Sequence, residues 1–494
     1  MVAGAALRLA VPVRLVMIFS AYRLTEDAAT LTHVPRAGAA PTLLYRLVFA
    51  VLVADHRVLV AVNTACALLT LPLLVALYAR FRPPKGAVAT AAGLLALLPV
   101  LVLDARTESH LLPAMLWLSA GLLLLDQGLQ GGLRRDLLGS VALLTLAAMS
   151  RPELTAMTPL LAAVVAWWRK AHGDGQVSRT AVAVAAALGL LLIVPHLLHL
   201  RYALAVEQEG GSLPPVDASF VLGLPLRWLS LALPLQPDLF PAGLTALALW
   251  AAVAPGRERR FLLGLLLAAA LWMALTLIDL PRTSVPRLHA PAAVLVAFVA
   301  AWQVGRWLSD AAVAAKGRQK AAVALGICAL SAVPSAWALS ARSNEDETED
   351  FLTAAIAQLP ARDACVVALA MGDPPPPHRT QRAFPAYLLR PPHRDAQLYS
   401  FTQWRALGEP VCAGGTFLVV DHRCYAMHAQ GRQQGAATTD ATGPNGMLGA
   451  CRALMERHPW RKVLERDVPN RGDNEYGYYA AVPSFRLGLY GLGR

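Results

Sequence analysis

Apolar residues along the chain are grouped in long blocks, and polar residues are confined to short stretches between them. The hydrocarbon core of a bilayer is about 30 Å thick, and a helix needs about 20 apolar residues to cross it. Blocks near that length predict a polytopic α-helical membrane protein with about 10–11 transmembrane helices. The predicted spans are Ala3–Tyr22, Val58–Tyr78, Ala87–Leu103, Leu111–Leu125, Leu137–Ser150, Leu154–Trp168, Ala181–Leu200, Leu239–Ala254, Phe261–Ile278, Pro291–Trp307 and Ala321–Leu339.

Two apolar segments depart from this pattern. Arg8 and Arg14 interrupt the first span, so either their side chains extend to the inner membrane surface or the span truly starts upstream. Leu43–Val53 is too short to cross a bilayer and contains Arg46, which predicts an interfacial helix lying on the membrane.

Basic residues indicate which loops are cytoplasmic, because short cytoplasmic loops are enriched in Lys and Arg. Alternate loops carry this enrichment and are predicted to be cytoplasmic, with Arg80, Arg82, Lys85, Arg134, Arg135, Arg169, Lys170, Arg179, Arg257, Arg259, Arg260, Arg306, Lys316, Arg318 and Lys320. The opposite loops and the C-terminal region are then external. The external loops are Thr25–Arg57, Asp104–His110, Ser150–Glu153, Arg201–Asp238 and Asp279–His289.

One external turn is predicted to lie below the membrane surface. Ser150-Arg151-Pro152-Glu153 separates apolar pieces of 14 and 15 residues, which as helices are about 21 to 23 Å long. Because these pieces are shorter than the bilayer core, the turn is expected inside it. A polar turn at that depth must line a wet cavity or be buried in protein.

Composition agrees with a membrane protein. The chain is 56% hydrophobic and 15% charged, whereas a soluble protein has about 25% charged residues. The net charge of +12 comes largely from the loop residues that set orientation, so we predict no nucleic-acid partner. The expected location is a bacterial inner (plasma) membrane.

The sequence becomes more polar from about Ala341. We predict a transmembrane domain over residues 1–340 and a small external α/β domain over residues 341–494. Its predicted helices and strands are Phe351–Leu359, Cys365–Met371, Thr416–Val420, Leu448–Arg457, Tyr476–Val482 and Phe485–Tyr490.

Four cysteines fall in this C-terminal region: Cys365, Cys412, Cys424 and Cys451. In an oxidising compartment they can form up to two disulfides, in three possible pairings. Four buried free thiols are the alternative.

Two external loops carry candidate catalytic carboxylates. Glu26 and Asp27 are adjacent, and such a pair can supply a general base or hold a divalent cation; alternatively it caps a helix that starts at Ala28. The second acidic element is Asp104 and Glu108, with Arg106 and His110 beside them. If this stretch is helical, each pair shares a face; the alternative is an interfacial turn with weak ion pairs.

Three arginines are candidates for binding a phosphate. Arg151, next to Glu153, is suited to a phosphate inside the membrane, or the two residues form a structural salt bridge. Arg282 and Arg287 lie near a predicted lipid–water boundary, where they suit a lipid phosphate or make nonspecific headgroup contacts.

Other enzyme classes lack support in the sequence. It contains no Walker loop, dinucleotide glycine fingerprint, HExxH or GxSxG motif. The predicted spans contain almost no acidic residues, which argues against an ion-coupled transporter.

Several of these motifs together resemble the polytopic GT-C glycosyltransferases. They are Thr25-Glu26-Asp27-Ala28 after the first span, Pro41-Thr42-Leu43-Leu44-Tyr45, Leu97-Leu98-Pro99, the Asp104–His110 loop and Ser150-Arg151-Pro152-Glu153-Leu154. The Arg-Pro-Glu turn is similar to that of the arabinofuranosyltransferase-like and protein-mannosyltransferase-like branches. The resemblance covers about the first 340 residues.

The resemblance implies inverting transfer of a sugar from a polyprenyl phosphate to an acceptor hydroxyl of a saccharide, lipid or protein. Asp27 would be the base, Glu26 would support it or bind a divalent cation, and Asp104 or Glu108 would be the second acid. Arg151, with Arg282 or Arg287, would face the donor phosphate. GT-C sequences more often have Asp-Asp or Asp-Glu where this chain has Glu-Asp, so a non-catalytic scaffold or receptor remains an alternative, as does a flippase of lipid-linked saccharide.

Overall fold

The structure is a computed structural model of the 494-residue chain. It describes residues 2–11, 13, 24–25, 28–29, 39–131, 134–172, 179–209, 242–256, 258–279, 289–311, 315–330, 344–368, 396–421, 424–425, 447, 449–469 and 484–493.

The described segments of the N-terminal part are mostly helices joined by short turns. The helices are α1 Val2–Ala10, α2 Ala39–Phe49, α3 His56–Arg80, α4 Ala87–Leu97, α5 Pro99–Asp104, α6 Leu111–Gly131, α7 Arg134–Ala148, α8 Pro152–Ala171, α9 Arg179–Glu209, α10 Ala242–Val253, α11 Arg259–Asp279, α12 Ala290–Ala311 and α13 Ala315–Leu330. Helices occupy most of the described residues of the predicted spans, so the polytopic helical fold is confirmed. By length and composition, α3, α6, α11 and α12 are able to cross a membrane, and shorter apolar helices accompany them.

The predicted span Ala87–Leu103 is wrong in one respect, because it consists of two helices. Helix α4 ends at Leu97, Leu98 has φ −59° and ψ 125°, and α5 begins at Pro99. A residue before proline is disfavoured in the helical region, so Pro99 starts a new helix. The break places the last carbonyls of α4 inside the bundle.

Arg8 occupies that break and does not extend to the inner surface, so that expectation is wrong. Its side chain is buried and donates to Leu95 O at 2.7 Å and Ala96 O at 2.9 Å. The final carbonyls of a helix lack intrahelical partners and attract cations, which explains the contact. Gly4 permits the close approach of α1 to α4, because a Cβ at position 4 would lie 2.5 Å from the Ala96 Cβ. Arg14 lies outside the described residues.

Helix α12 lies at the centre of the helical bundle. Every residue from 291 to 305 is buried, as expected for a helix that is apolar on all sides. Tyr78 stacks on Phe298 with ring centroids 4.6 Å apart and donates a hydrogen bond to Phe298 O. Trp302 lies within about 6 Å of Trp168 and Phe261. These contacts join α3, α8, α11 and α12.

A buried ionic cluster ties three helices together at the end of the bundle that carries the basic loops. Asp126 on α6 accepts hydrogen bonds from Arg169 on α8 at 2.5 and 2.8 Å and from Arg80 on α3 at 2.7 Å. Arg169 also donates to Arg80 O. We call Asp126, Arg169 and Arg80 the Asp126 cluster. Because Asp126 and Arg169 are fully buried, we expect this cluster to fix the helix ends.

The C-terminal part contains a five-stranded sheet in the order β2-β1-β3-β5-β4. The elements are α14 Asn344–Ile356, β1 Cys365–Ala368, β2 Gln397–Ser400, α15 Phe401–Ala406, β3 Thr416–Val420, α16 Gly449–Arg457, β4 Trp460–Pro469 and β5 Ser484–Leu492. Strands β2 and β3 pair parallel with β1, whereas β5 pairs antiparallel with β3 and β4. The mixed α/β character is confirmed, and the domain boundary near residue 340 stays a prediction.

Strand β4 was not predicted. It is an edge strand whose side chains are mostly exposed, and charged residues such as Arg461, Lys462 and Glu465 obscure its alternation. The predicted strand Tyr476–Val482 lies outside the described residues.

Two disulfides cross-link this part, so the first of the two cysteine alternatives is correct. Cys365 pairs with Cys412 and Cys424 pairs with Cys451, with Cα–Cα distances of 5.6 and 5.7 Å. Both distances suit a disulfide. The first joins β1 to the segment before β3, and the second joins α16 to the segment after β3.

Replacing Cys365 with serine should destabilise the sheet by about 2–4 kcal/mol, because the disulfide closes a loop of 47 residues in the unfolded chain. Thermal unfolding of the purified protein should show a lower melting temperature without reductant and a smaller difference with it. Cys328→Ser is the matched control, because Cys328 is a free cysteine. Equal melting temperatures for wild type and Cys365→Ser without reductant would contradict the expectation.

Candidate functional site

The structure describes the residues on either side of the first predicted acidic element. Glu26 and Asp27 lie outside the described residues, whereas Thr25 and Ala28 are fully buried. Arg282 and Arg287 also lie outside the described residues. The structure therefore describes the residues that flank the acidic pair and the side chains that those residues contact.

Helix α2 holds the segment that follows the acidic pair. Ala28 packs in one cluster with Tyr45 on α2 and Leu59 on α3. The guanidinium of Arg46 donates to Ala29 O at 3.1 Å and to Ala28 O at 3.5 Å. The opposite face of α2 exposes apolar side chains, including Leu47 at 70%, in agreement with the predicted interfacial helix.

A chain of buried hydrogen bonds connects α2 to the second acidic element. The Tyr45 hydroxyl donates to Asn63 Oδ1 on α3 at 2.7 Å. Asn63 Nδ2 donates to Thr107 O at 3.0 Å, and Thr107 Oγ1 donates to Asp104 O at 2.9 Å and to Asp104 Oδ1 at 3.1 Å. All four residues are at most 2% exposed, so α2, α3 and the Asp104–His110 loop form one connected polar unit.

Both acids of the second element act on the Tyr45 phenol electrostatically. Burial raises the pKa of Tyr45 well above its ordinary value, Cys66 adds to the increase and the hydrogen bond with Asn63 opposes it. The carboxylates of Glu108 and Asp104 raise this pKa further. Tyr45 therefore contacts Ala28, which follows the acidic pair, and lies within electrostatic range of the second pair.

The loop that carries the second acidic element is not helical, so of the two alternatives the turn is observed and the shared helix faces do not form. Helix α5 ends at Asp104, and residues 105–110 form turns. The bonds from Thr107 to Asp104 stabilise this alternative to helix. Asp104 and Glu108 are nevertheless both buried, Asp104 at the end of α5 and Glu108 in the turn.

Arg106 and His110 separate in this turn. Arg106 donates to Val11 O at 2.7 Å and to Leu9 O at 3.0 Å, which anchors the end of α1. His110 Nε2 lies 3.1 Å from Arg151 Nη1. The Asp104–His110 loop therefore contacts the N-terminal segment on one side and the Arg151 turn on the other.

Arg151 and Glu153 form a buried bidentate ion pair. Arg151 Nε and Nη2 donate to Glu153 Oε2 and Oε1 at 2.9 and 2.7 Å. The side chains are 11% and 5% exposed, which confirms that this polar turn is covered by protein. The pair fixes the guanidinium plane and leaves Nη1 directed to His110.

Several polar residues of this region were not predicted from the sequence. Besides Tyr45 and Asn63, His196 on α9 is buried, with its Nε2 3.2 Å from Thr155 Oγ1 on α8. Asn63 and His196 lie in mainly apolar stretches of α3 and α9, and a polar side chain in such a stretch was the available signal.

The second acidic element also borders a cavity inside the bundle. The cavity has a volume of about 40 Å³, and Arg8 and Asp104 contribute charged groups to a lining that is otherwise mainly apolar. An apolar cavity of about 50 Å³ shares Leu74 and Met115 with it. Among the described residues, no group of three or more His, Cys, Asp or Glu is arranged to hold a metal ion.

Comparison with solved structures identifies the architecture. The apo-state crystal structure of ArnT from Cupriavidus metallidurans is similar, with a TM-score of 0.53 and 12% sequence identity, over 98% of this chain and 95% of ArnT. ArnT is a GT-C glycosyltransferase. This chain has the GT-C fold.

A second GT-C structure is also similar. Arabinofuranosyltransferase AftD from Mycobacteria has a TM-score of 0.48 and 16% identity, over 100% of this chain and 40% of AftD. No family model and no curated protein matches the sequence. The GT-C fold and the membrane helices together make this chain a multi-pass membrane protein.

Tyr45→Phe should loosen the polar unit, because it leaves Asn63 Oδ1 buried without its hydrogen-bond donor. The expected loss is about 1–3 kcal/mol of stability, measurable by thermal unfolding in detergent. Tyr399→Phe is the control, because the Tyr399 hydroxyl makes its hydrogen bond to Gln397 in an exposed part of the sheet. Equal melting temperatures for Tyr45→Phe and Tyr399→Phe would contradict a structural role for the Tyr45 hydroxyl.

Proposed function

We propose that this protein is a membrane glycosyltransferase. It transfers a sugar from a polyprenyl phosphate to an acceptor hydroxyl at the external membrane face, with inversion at the anomeric carbon. The observation that carries the proposal lies at Tyr45 within a GT-C fold: Ala28, which follows Glu26-Asp27, packs with Tyr45, and Tyr45 is linked through Asn63 to the Asp104–His110 loop.

The proposed reaction is a single displacement. The acceptor oxygen forms a bond to the anomeric carbon as the bond from that carbon to the lipid phosphate oxygen breaks. Asp27 accepts the proton of the attacking hydroxyl, and polyprenyl phosphate leaves with the bonding electrons. Glu26 supports Asp27 or binds a divalent cation.

Arg151 is proposed to stabilise the departing phosphate. Glu153 orients its guanidinium through two hydrogen bonds, and Nη1 is the nitrogen on the side of the Asp104–His110 loop. A guanidinium that a carboxylate already holds in place loses little side-chain freedom when it binds an anion. Arg282 or Arg287 is proposed to add a second cation.

Asp104 and Glu108 are proposed to form the second acidic element. The bonds from Thr107 to Asp104, and from Asn63 to Thr107 O, fix the turn that bears both carboxylates. Their role is to bind the acceptor or a divalent cation beside the base.

The experiment uses purified protein in liposomes with labelled polyprenyl phosphate sugars and a cell-envelope extract as acceptor. We expect release of polyprenyl phosphate with formation of a labelled product. Movement of intact labelled donor across the bilayer without product would support a flippase. If none of the labelled donors is used for transfer or moved across the bilayer, the result would favour the scaffold alternative and contradict the proposal.

A further inference from the structure

The first two turns of α3 connect the C-terminal part of the chain to the candidate site. At the start of the helix, His56 Nε2 lies 2.7 Å from Glu349 Oε1 on α14, and Arg57 Nη2 donates to the same oxygen at 3.1 Å. One turn later, Val60 belongs to the hydrophobic cluster that contains Phe351 and Leu352 of α14. Helix α14 is thus attached to α3 by charge and by apolar packing.

Other side chains of the same two turns contact the candidate site. Leu59 packs with Ala28 and Tyr45, and Asn63 bonds to Tyr45 and to Thr107 O. Residues 56–63 therefore hold α14 on one side and the segment after the acidic pair, α2 and the second acidic loop on the other. A shift of this stretch against α2 would alter each of these contacts together.

The ionic contact is specific in its geometry. Both ring nitrogens of His56 face carboxylates, with Nδ1 3.2 Å from Asp55 Oδ1 and Nε2 close to Glu349. Burial acts to raise the pKa of Glu349, but its hydrogen bond with His56 and the charges of His56 and Arg57 outweigh burial and lower it. The Glu349 carboxylate is 12% exposed, so this contact is partly protected from solvent screening.

We propose that Glu349 is a positioning residue: by holding His56 and Arg57, it fixes the outer end of α3 and thereby the arrangement of α2 and the Asp104–His110 loop. The C-terminal part then acts on the site through α14, without contributing a group to the reaction. The consequence for transfer rests on the proposed function, whereas the structural coupling does not.

Hydrogen exchange of the full-length protein in nanodiscs tests the coupling directly. In Glu349→Gln we expect the amides of residues 57–63, 43–49 and 104–110 to exchange at least about threefold faster than in wild type. Asp350→Asn is the matched control, because Asp350 is the next residue of α14 and is exposed. Faster exchange confined to α14, or equal changes in both variants, would overturn the proposal.

A milder variant keeps the test valid if Glu349→Gln does not fold. Arg57→Gln removes one cation from an exposed side chain and leaves the His56 contact in place. We expect the same three segments to exchange faster, by a smaller factor. Unchanged exchange at residues 43–49 and 104–110 in this variant would also overturn the proposal.

The transfer assay then separates positioning from the proposed activity. We expect Glu349→Gln to lower kcat about tenfold through misalignment, with the KM for the donor changed less, and Asp350→Asn to match wild type. Unaltered kcat in a protein that transfers sugar would overturn the positioning role. Absence of transfer in wild type would contradict the proposed function, and the exchange result would still decide the coupling.

Discussion

Asp126→Ala should lower the stability of the protein by about 3–5 kcal/mol, the largest structural effect expected here. The substitution removes the carboxylate that binds two guanidinium groups, that of the buried Arg169 and that of Arg80, whose side chain is 35% exposed. Arg169 is only 1% exposed, so water cannot readily replace the lost partner. The ends of α3, α6 and α8 would separate to hydrate the two charges.

The matched control is Asp136→Ala, on the next helix. Asp136 pairs with Arg135 at 3.5 Å, and the Arg135 side chain is 84% exposed, so its loss should cost about 0–1 kcal/mol. Thermal unfolding in detergent, followed by tryptophan fluorescence, should show a clear decrease in melting temperature for Asp126→Ala only. The same small effect for both variants would show that the Asp126 cluster does not hold these helices together.

The helices of this fold could be predicted because lipid imposes a simple requirement. A chain crossing a bilayer must bond its backbone internally, so long apolar blocks become helices. Two kinds of change occur. The span Ala87–Leu103 divides at Leu98 into two helices, and some helix ends move: Leu111–Leu125 extends to Gly131, and the interfacial helix begins at Ala39. These shifts leave the order and type of the elements unchanged.

Arg8 shows where sequence reasoning failed in the helical part. In sequence it is a charge that weakens a span, and in the structure it caps α4 at carbonyls 87 and 88 residues away. Periodicity reports local environment and contains no information on such a distant partner. Pro99 can be read from the sequence as a possible helix break. That Arg8 binds the carbonyls at this break depends on the packing of α1 against α4.

The candidate site was predictable in its residue types and not in its connections. The charged residues of the Asp104–His110 loop and Arg151-Pro152-Glu153 stand out in an apolar chain, and the structure joins them through His110 and Arg151. The sequence gives no role to Tyr45 or Asn63, because their role comes from hydrogen bonds between α2, α3 and the Asp104–His110 loop. Spacing left a helix or a turn open at 104–110, and the hydrogen bonds of Thr107 to Asp104 stabilise the turn.

Asp27→Asn should have the largest effect on activity. A positioned general base contributes about 10²–10⁴-fold to rate, and asparagine has nearly the same volume but cannot accept the proton. The substitution should lower kcat by at least about 100-fold while leaving expression, melting temperature and donor binding close to wild type. Glu26→Gln should lower kcat less if Glu26 only supports Asp27.

The scaffold alternative makes the opposite prediction for these variants. A protein that acts only by binding a partner through its C-terminal part would lose function on deletion of residues 343–494 and be unaffected by Asp27→Asn. Comparing Asp27→Asn with Asp363→Asn provides a matched control, because Asp363 is an exposed carboxylate of the C-terminal part.

The most direct test is the initial rate of polyprenyl phosphate release from a labelled lipid-linked sugar by wild type and Asp27→Asn, at equal amounts of folded protein and bound donor. We predict steady release by wild type and by Asp363→Asn, with a rate at least about 100-fold lower for Asp27→Asn. Equal rates for wild type and Asp27→Asn would contradict the assignment of the base and, with it, the catalytic role proposed for this site.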